Sequence, residues 1–446
     1  MGSARERKDN TKVGFWISTS LVVGNMTGSG IFLLPAALAL YGGISIFGWL
    51  YTVLGTLFLA LVFSRLSRLI TRAGGPFSYS REGFGDLAGF LVAWGYWISI
   101  WTGNAAISVA GVGYLSVFFP ALKENALFSA LLAIAAIWFF TYINTKAIRK
   151  VGVVQLITTG IKILPLLLLG TLGYLYFDKT HFEPMNLSGE STFDAITATA
   201  ALALWAFLGL ESATIPSDKV RNPEKTIPRA TLAGISLAAL LYIASTIGVM
   251  GIISPGELQQ SAAPFADAAQ LAWGNWASRL VAAGAAVACF GALNGWILLQ
   301  GQLPMAAARE KLFPSSFQKL SGKGIPVMGL LIASVLASVL VSFNYTRGLV
   351  QMFTFIIKLS TLSCLLPYLF SSLSEIMLYL RKKKAFDRKK FWTALLISIP
   401  AFLYSAWAVT GLGRETLIWG AVLLAAGLPI FAYLKRRSKS QQKTDV

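Results

Sequence analysis

The sequence predicts an all-α membrane protein with twelve transmembrane helices, on three observations. First, 55% of its 446 residues are hydrophobic and only 13% are charged, with a mean hydropathy of +0.65. A soluble chain carries roughly a quarter charged residues. Second, apolar runs separated by charged or Gly/Pro-marked loops fall near 14–41, 43–70, 86–118, 126–145, 152–177, 195–217, 227–253, 276–308, 326–345, 348–380, 391–411 and 414–434. Each is long enough for a hydrocarbon slab of about 30 Å. Third, the net charge of +19 is unevenly placed. With both termini cytoplasmic, the outer loops hold only Lys123, Lys179, Arg279, Arg347 and Arg414, and two lysines lie within spans. The other 31 of the 38 Lys and Arg then face the cytoplasm, a positive-inside bias that sets the orientation in a cell (inner) membrane. The basic charge therefore reads as topology, with the lipid bilayer as partner and no nucleic acid expected.

The organisation that follows is a cytoplasmic N-terminus at 1–13, a core at 14–380, two further helices at 391–434 and a cytoplasmic C-terminus at 435–446. The polar stretch Arg5 to Lys12 runs straight into a hydrophobic segment too long for a signal-peptide core, so no cleavable leader is expected. Cys289 and Cys364 both lie in apolar segments, which argues against a disulfide framework. His181 sits alone in a polar loop, and neither a metal site nor a cofactor is indicated. No phosphate-cradling loop or nucleophile–histidine–acid arrangement appears, so the chain is not read as an enzyme.

The first span contains its own interruption. Gly24-Asn25-Met26-Thr27-Gly28-Ser29-Gly30-Ile31 breaks a hydrophobic run about 14 residues in, or ~21 Å along a helix. Each Gly costs a helix interior roughly 1 kcal/mol relative to Ala. An unwound chain at that depth exposes peptide groups that only protein or a water-filled cavity can satisfy. Carriers use such broken helices to bind solutes, often in two inverted halves. Span 6, five spans later and of opposite direction, has a matching weak point at Leu204-Trp205-Ala206-Phe207-Leu208-Gly209-Leu210-Glu211-Ser212. A five-plus-five inverted repeat with discontinuous helices 1 and 6 is therefore expected, with spans 11 and 12 outside it.

The run from Gly24 to Pro35 resembles the first-helix motif of the amino acid–polyamine–organocation transporters. Leu204 to Ala213 is similar to the sixth helix of their basic amino acid/polyamine antiporter branch, which includes arginine/agmatine exchangers. Gly103-Asn104, Val220-Arg221-Asn222-Pro223-Glu224, Ala263-Pro264-Phe265, Gly295-Trp296 and Pro367-Tyr368 extend the likeness over nearly the whole chain. The resemblance implies a LeuT-type fold, alternating access, and a small amino acid or derived amine as partner. Self-association as a homodimer is left open.

The site follows partly from physics and partly from that resemblance. The half-helix beginning near Gly30 offers free N–H groups and a positive dipole end to a carboxylate. Gly28 and Gly30 let the backbone approach, and Ser29 adds a hydroxyl. Helix packing by small residues is the alternative. Carbonyls released at Met26, Trp205, Ala206 and Leu208 would accept from the ammonium group. Trp205 is expected to cover the solute by apolar and cation–π contact. The resemblance places Ser99, Ile100, Asn104, Trp296 and Ser360 around the distal part of the substrate. Ordinary interhelical contacts would also account for the polar ones. It further marks Tyr96 and Tyr368 as inner gating tyrosines and Glu211 as the proton-sensitive group. A carboxyl inside a span costs roughly 2.5–3.5 kcal/mol on insertion scales, and burial favours its neutral form.

Two lysines depart from the arginine/agmatine pattern. Lys162 in span 5 and Lys358 in span 10 each lie some ten residues, or ~15 Å, into their spans. Lys162 resembles the span-5 lysine of sodium-independent relatives, where an ammonium bridges to broken helix 1. Lys358 precedes Ser360 by two residues, ~200° around a helix, so the two cannot share one face. If Lys358 faced the substrate pocket, it would repel a guanidinium or a second ammonium. The leading expectation is thus a sodium-independent, proton-sensitive amino acid/amine antiporter. A proton-coupled symporter or exchanger of neutral amino acids and a non-transporting sensor are the alternatives.

Overall fold

The computed structural model describes residues 14–70, 74–146, 151–210, 220–322, 324–381 and 387–444. Among them the secondary structure is helical, with nine helices long and apolar enough to cross a membrane. Three shorter apolar helical segments, Gly30–Ala39, Lys162–Tyr176 and Thr192–Phe207, fall in the predicted spans 1, 5 and 6.

Span 1 is two helices, α1 (Phe15–Met26) and α2 (Ser29–Ala39). Thr27 and Gly28 between them leave helical geometry, with φ/ψ of −77°/76° and −117°/−144°. Next come α3 (Ser45–Leu69), the short α4 (Pro76–Phe84), α5 (Asp86–Leu115), α6 (Ala126–Lys146) and α7 (Val151–Thr171). Span 6 begins as α8 (Thr192–Leu204), started by Ser191, whose hydroxyl accepts from the Asp194 amide at 3.2 Å. It tightens into a 3-10 turn at Trp205–Phe207, then becomes extended at Leu208. Gly209 has φ of +96°, a left-handed value open to glycine at little cost. Glu211, the expected proton-sensitive residue, lies outside the described residues, as does the Ser29 side chain.

The chain continues through α9 (Pro223–Ile252), a loop helix α10 (Pro264–Trp273), α11 (Asn275–Arg309), α12 (Val327–Asn344) and α13 (Leu349–Arg381). It closes with α14 (Arg388–Thr410), α15 (Arg414–Ala425) and α16 (Gly427–Thr444). Asp387 caps α14 from the loop. The amides and ammonium of Lys390, with the Lys389 amide, hold its carboxyl below the usual carboxylate range.

Helix α5 is the central element: Ala88 to Tyr114 is almost wholly buried, and it packs most extensively on α13 and α11. Its sequence is hydrophobic all round, as a helix surrounded by others must be. By contrast α6, α12 and α14 leave large apolar side chains such as Leu131, Phe139, Phe343 and Leu396 exposed, which is the surface a lipid-facing ring presents. The Arg65 guanidinium of α3 donates to both carboxylate oxygens of Glu375 on α13, at 2.7–3.0 Å, with Glu375 only 1% exposed. Removing one member of a buried pair leaves the other charge unpaired, at a cost of up to about 3–5 kcal/mol. Glu375→Gln should therefore lower the melting temperature in detergent, and the exchange Arg65→Glu/Glu375→Arg should recover part of the loss. Equal melting curves for wild type and Glu375→Gln would refute a structural role for this pair.

Candidate functional site

The two interruptions meet. A Cβ built on Gly30 would lie 3.1 Å from Trp205 Nε1 and 3.2 Å from Ala206 Cα, and one on Gly28 would lie 2.9 Å from the Ala292 methyl of α11. Both glycines are thus required by close approach: span 6 lies against one, α11 against the other. Around the junction, Met26, Gly28, Gly30, Trp205, Leu208 and Trp296 line a cavity of about 30 Å³. Ser99, Gly103 and Ile107 of α5 and Ser360 of α13 complete its wall. That volume holds about two waters, at ~10–15 Å³ each, and is too small for an amino acid. A solute enters only if the Trp205 turn or the half-helices move.

The electrostatics of the break are asymmetric. The Thr27 and Gly28 amides return to Val23 O and Met26 O, at 2.6 and 2.8 Å. The fully buried Lys162 of α7 donates from Nζ to Gly24 O at 3.2 Å. An ammonium at the carbonyl end of α1 answers its negative dipole end. At the opposing start of α2 the N-cap is Gly28, which has no side chain to cap it, so among the described residues no capping side chain answers this positive dipole end. Tyr242 donates to Thr27 Oγ1 at 3.3 Å. Its ring packs with Trp49 and with Phe207 of the span 6 turn, centroids 5.6–6.0 Å apart, so one aromatic cluster braces both breaks.

Of the residues expected around the solute, Met26, Gly28, Gly30, Ser99, Trp205, Leu208, Trp296 and Ser360 are brought together. Ser360 donates to Ser99 O at 2.7 Å, and the two hydroxyls are 3.1 Å apart, tying α13 to α5 at the cavity wall. The indole N–H of Trp205 is buried without a hydrogen-bond partner among the described residues. Ala206 supplies backbone contact to Gly30 but is not among the lining residues, nor is Ile100.

Asn104 departs from its expected place. It points away from the cavity and donates to Gln300 Oε1 at 2.7 Å. Gln300 donates onward to Leu330 O and Ser334 Oγ, and Ser334 meets Thr141, so this chain knits α5, α11, α12 and α6. The reason is helical rotation. Ser99, Gly103 and Ile107 are four residues apart and share a face, whereas Ile100 and Asn104 are turned ~100° from it. Gly103 and Ile107 were absent from the expected set; the four-residue spacing from Ser99 was the signal that could have found them.

Lys358 also lies elsewhere. It faces a separate vestibule with Arg347, Gln351, Thr354 and Glu415, while Ser360 faces the cavity. The expected clash with a cationic substrate therefore does not arise inside the cavity, whose lining is uncharged. Tyr96 and Tyr368 are buried and flank the cavity toward the Asp86 end of α5 and the Arg381 end of α13. These ends lie on one side, where Arg381 donates to Glu82 O at 3.1 Å. Tyr368 packs edge-on against Phe63 at 5.6 Å.

A bundle of apolar helices, interrupted twice around a small cavity with no charged residue among its described lining, is the architecture of a multi-pass membrane protein with a buried junction between the breaks. Residues 13–427 match the amino acid permease family, and the chain belongs to that family. It is 36% identical to the cadaverine/lysine antiporter of Escherichia coli over 82% of this chain and 83% of that one. It is 31% identical to the putrescine transporter PotE of Haemophilus influenzae (95% and 97% covered). It is 34% identical to a putative arginine/ornithine antiporter of Bacillus subtilis (97% and 99% covered). A crystal structure of a manganese transporter from Eremococcus coleocola aligns at a TM-score of 0.60 over 94% of each chain with 14% identity, a likeness of fold alone.

Gly30→Val should abolish transport while the protein still reaches the membrane, because two methyls would be forced into Trp205 and Ala206. Trp205→Leu should raise KM roughly 2- to 30-fold, the range set by losing a ~0.5–2 kcal/mol cation–π contact. Uptake assays beside surface-expression controls check both, and a wild-type rate in Gly30→Val would refute the close approach.

Proposed function

We propose that this protein exchanges a basic amino acid for a decarboxylated amine by alternating access. The observation that carries this reading is the uncharged cavity between two helix breaks, with one dipole end answered by Lys162 and the other left open. A carboxylate fits the start of α2, and an ammonium fits the carbonyls near Met26, Trp205 and Leu208. The distal cation of a basic amino acid, or of a diamine, would lie against Trp205, Trp296 and the Ser99–Ser360 pair. The named relatives support this class of solute, and displacement of Lys358 from the cavity removes the main objection to it.

The architecture assigned to it is twelve spans in a five-plus-five inverted repeat with both termini cytoplasmic. Reciprocal packing supports the repeat: span 1 lies on span 7 as span 6 lies on span 2. Lys162 supports sodium independence, since an ammonium already occupies the place where a cation would bridge helices 1 and 5. Glu211, from its position in the sequence, is assigned the proton-sensitive role.

In proteoliposomes, labelled lysine, ornithine or arginine should enter only when a matching amine or amino acid is loaded inside. Replacing sodium by potassium should leave the rate unchanged. Uptake that needs no counter-substrate, or that stops without sodium, would overturn the exchanger reading in favour of a symporter. Glu211→Gln should flatten the pH profile of exchange; a profile identical to wild type would reject the proton role.

A further inference from the structure

The vestibule that holds Lys358 is a chamber of about 430 Å³ that shares two of its walls, α2 and α13, with the central cavity. Ala36 and Ala37 of α2 line the vestibule, and Gly30 lines the cavity; on α13, Thr354 and Ser360 stand in the same relation. Six residues of helix is ~9 Å, so the vestibule lies one short step toward the 345–348 and 411–416 loops. Under the orientation proposed above, that is the outer side.

Its charge is unbalanced. Arg347 donates to both oxygens of Glu415, at 2.6 and 3.3 Å, so these two cancel. Lys358 and Arg414 also line the chamber, and among the described residues neither has a carboxylate within ion-pair distance; Glu190 and the Arg347-bound Glu415 act on Lys358 only from farther off. Lys358 is half-buried on a helix whose neighbours Phe355 to Ile357, Leu359 and Ser360 are buried. An unpaired ammonium within a span needs an aqueous chamber and attracts an anion to it. Among the solutes of the exchange proposed above, only the arriving amino acid brings an anionic group, its carboxylate. A decarboxylated amine has no such group and brings two positive charges instead.

We propose that Lys358 and Arg414 form a staging site for the substrate carboxylate at the mouth of the transport path, and that their charge makes amino acids preferred over diamines from that side. The proposal rests on the exchanger reading and deepens it by giving the exchange a direction. It adds no contact in the central cavity, so maximal exchange rates do not depend on it.

The test uses intact cells expressing the full chain, with labelled lysine uptake competed from outside by unlabelled lysine or cadaverine. Wild type should require more cadaverine than lysine for half-inhibition. Lys358→Gln should narrow that ratio by about tenfold with little change in maximal rate, the shift expected from 1.4 kcal/mol of lost charge interaction. Lys358→Arg should keep it. Raising the salt concentration should narrow the ratio in wild type, which keeps the idea testable should Lys358→Gln fail to fold. A ratio unmoved by Lys358→Gln, or by salt where that variant is lost, overturns the staging site. Absence of lysine/cadaverine exchange in wild type would instead overturn the exchanger reading itself.

Discussion

A helix that stops inside a hydrocarbon slab exposes peptide groups with no water to meet them, and this protein stops two. The structure resolves the problem unequally. At the carbonyl end of α1, the Lys162 ammonium reaches Gly24 O, so protein supplies the cation that end attracts. At the amide end of α2, no side chain among the described residues caps the start. One half of the dipole pair is thus answered by protein, and the other is the end the proposed reading assigns to a solute. Had both ends been capped, the junction would be a stable kink with no affinity for a charged molecule.

The neighbouring packing follows from that arrangement. Gly28 and Gly30 allow α11 and the Trp205 turn to close on the break, which shields it from lipid. Tyr242, Trp49 and Phe207 brace both interruptions from behind, so the two breaks share one packed aromatic cluster. The small cavity that remains is lined by backbone, two serines, two tryptophans and aliphatic side chains. Such a lining holds either sign of charge through dipoles rather than through fixed ions, which suits a site that must release its cargo.

Polar residues elsewhere in the spans have different work, and helix rotation separates the two groups. The face Ser99–Gly103–Ile107 serves the cavity, and Asn104, a quarter-turn away, serves the Gln300–Ser334–Thr141 chain that fixes four helices together. Ser360 and Lys358 divide in the same way between cavity and vestibule. A buried polar side chain in this fold is therefore either a scaffold bond or a wall of a water-accessible chamber, and its register decides which.

Composition, apolar periodicity and the asymmetry of Lys and Arg were enough to establish a helical membrane protein. The cluster of Gly and Ser at 24–30 located the first break to within a residue or two, because backbone preference is local and glycine has few other reasons to gather there. The Trp205–Gly209 weak point was legible on the same grounds; the depth of Lys162 required a cavity or a partner, and the resemblance to relatives with a span-5 lysine pointed that partner to helix 1. The sequence could not say which way a given helix is turned. The family resemblance drew Asn104 toward the substrate and the sequence left the facing of Lys358 open, yet a rotation of 100–200° sends each elsewhere, and that angle is set by packing against α11, α12 and the outer loops. Facing is a property of neighbours distant in the chain, so only the tertiary structure decided it.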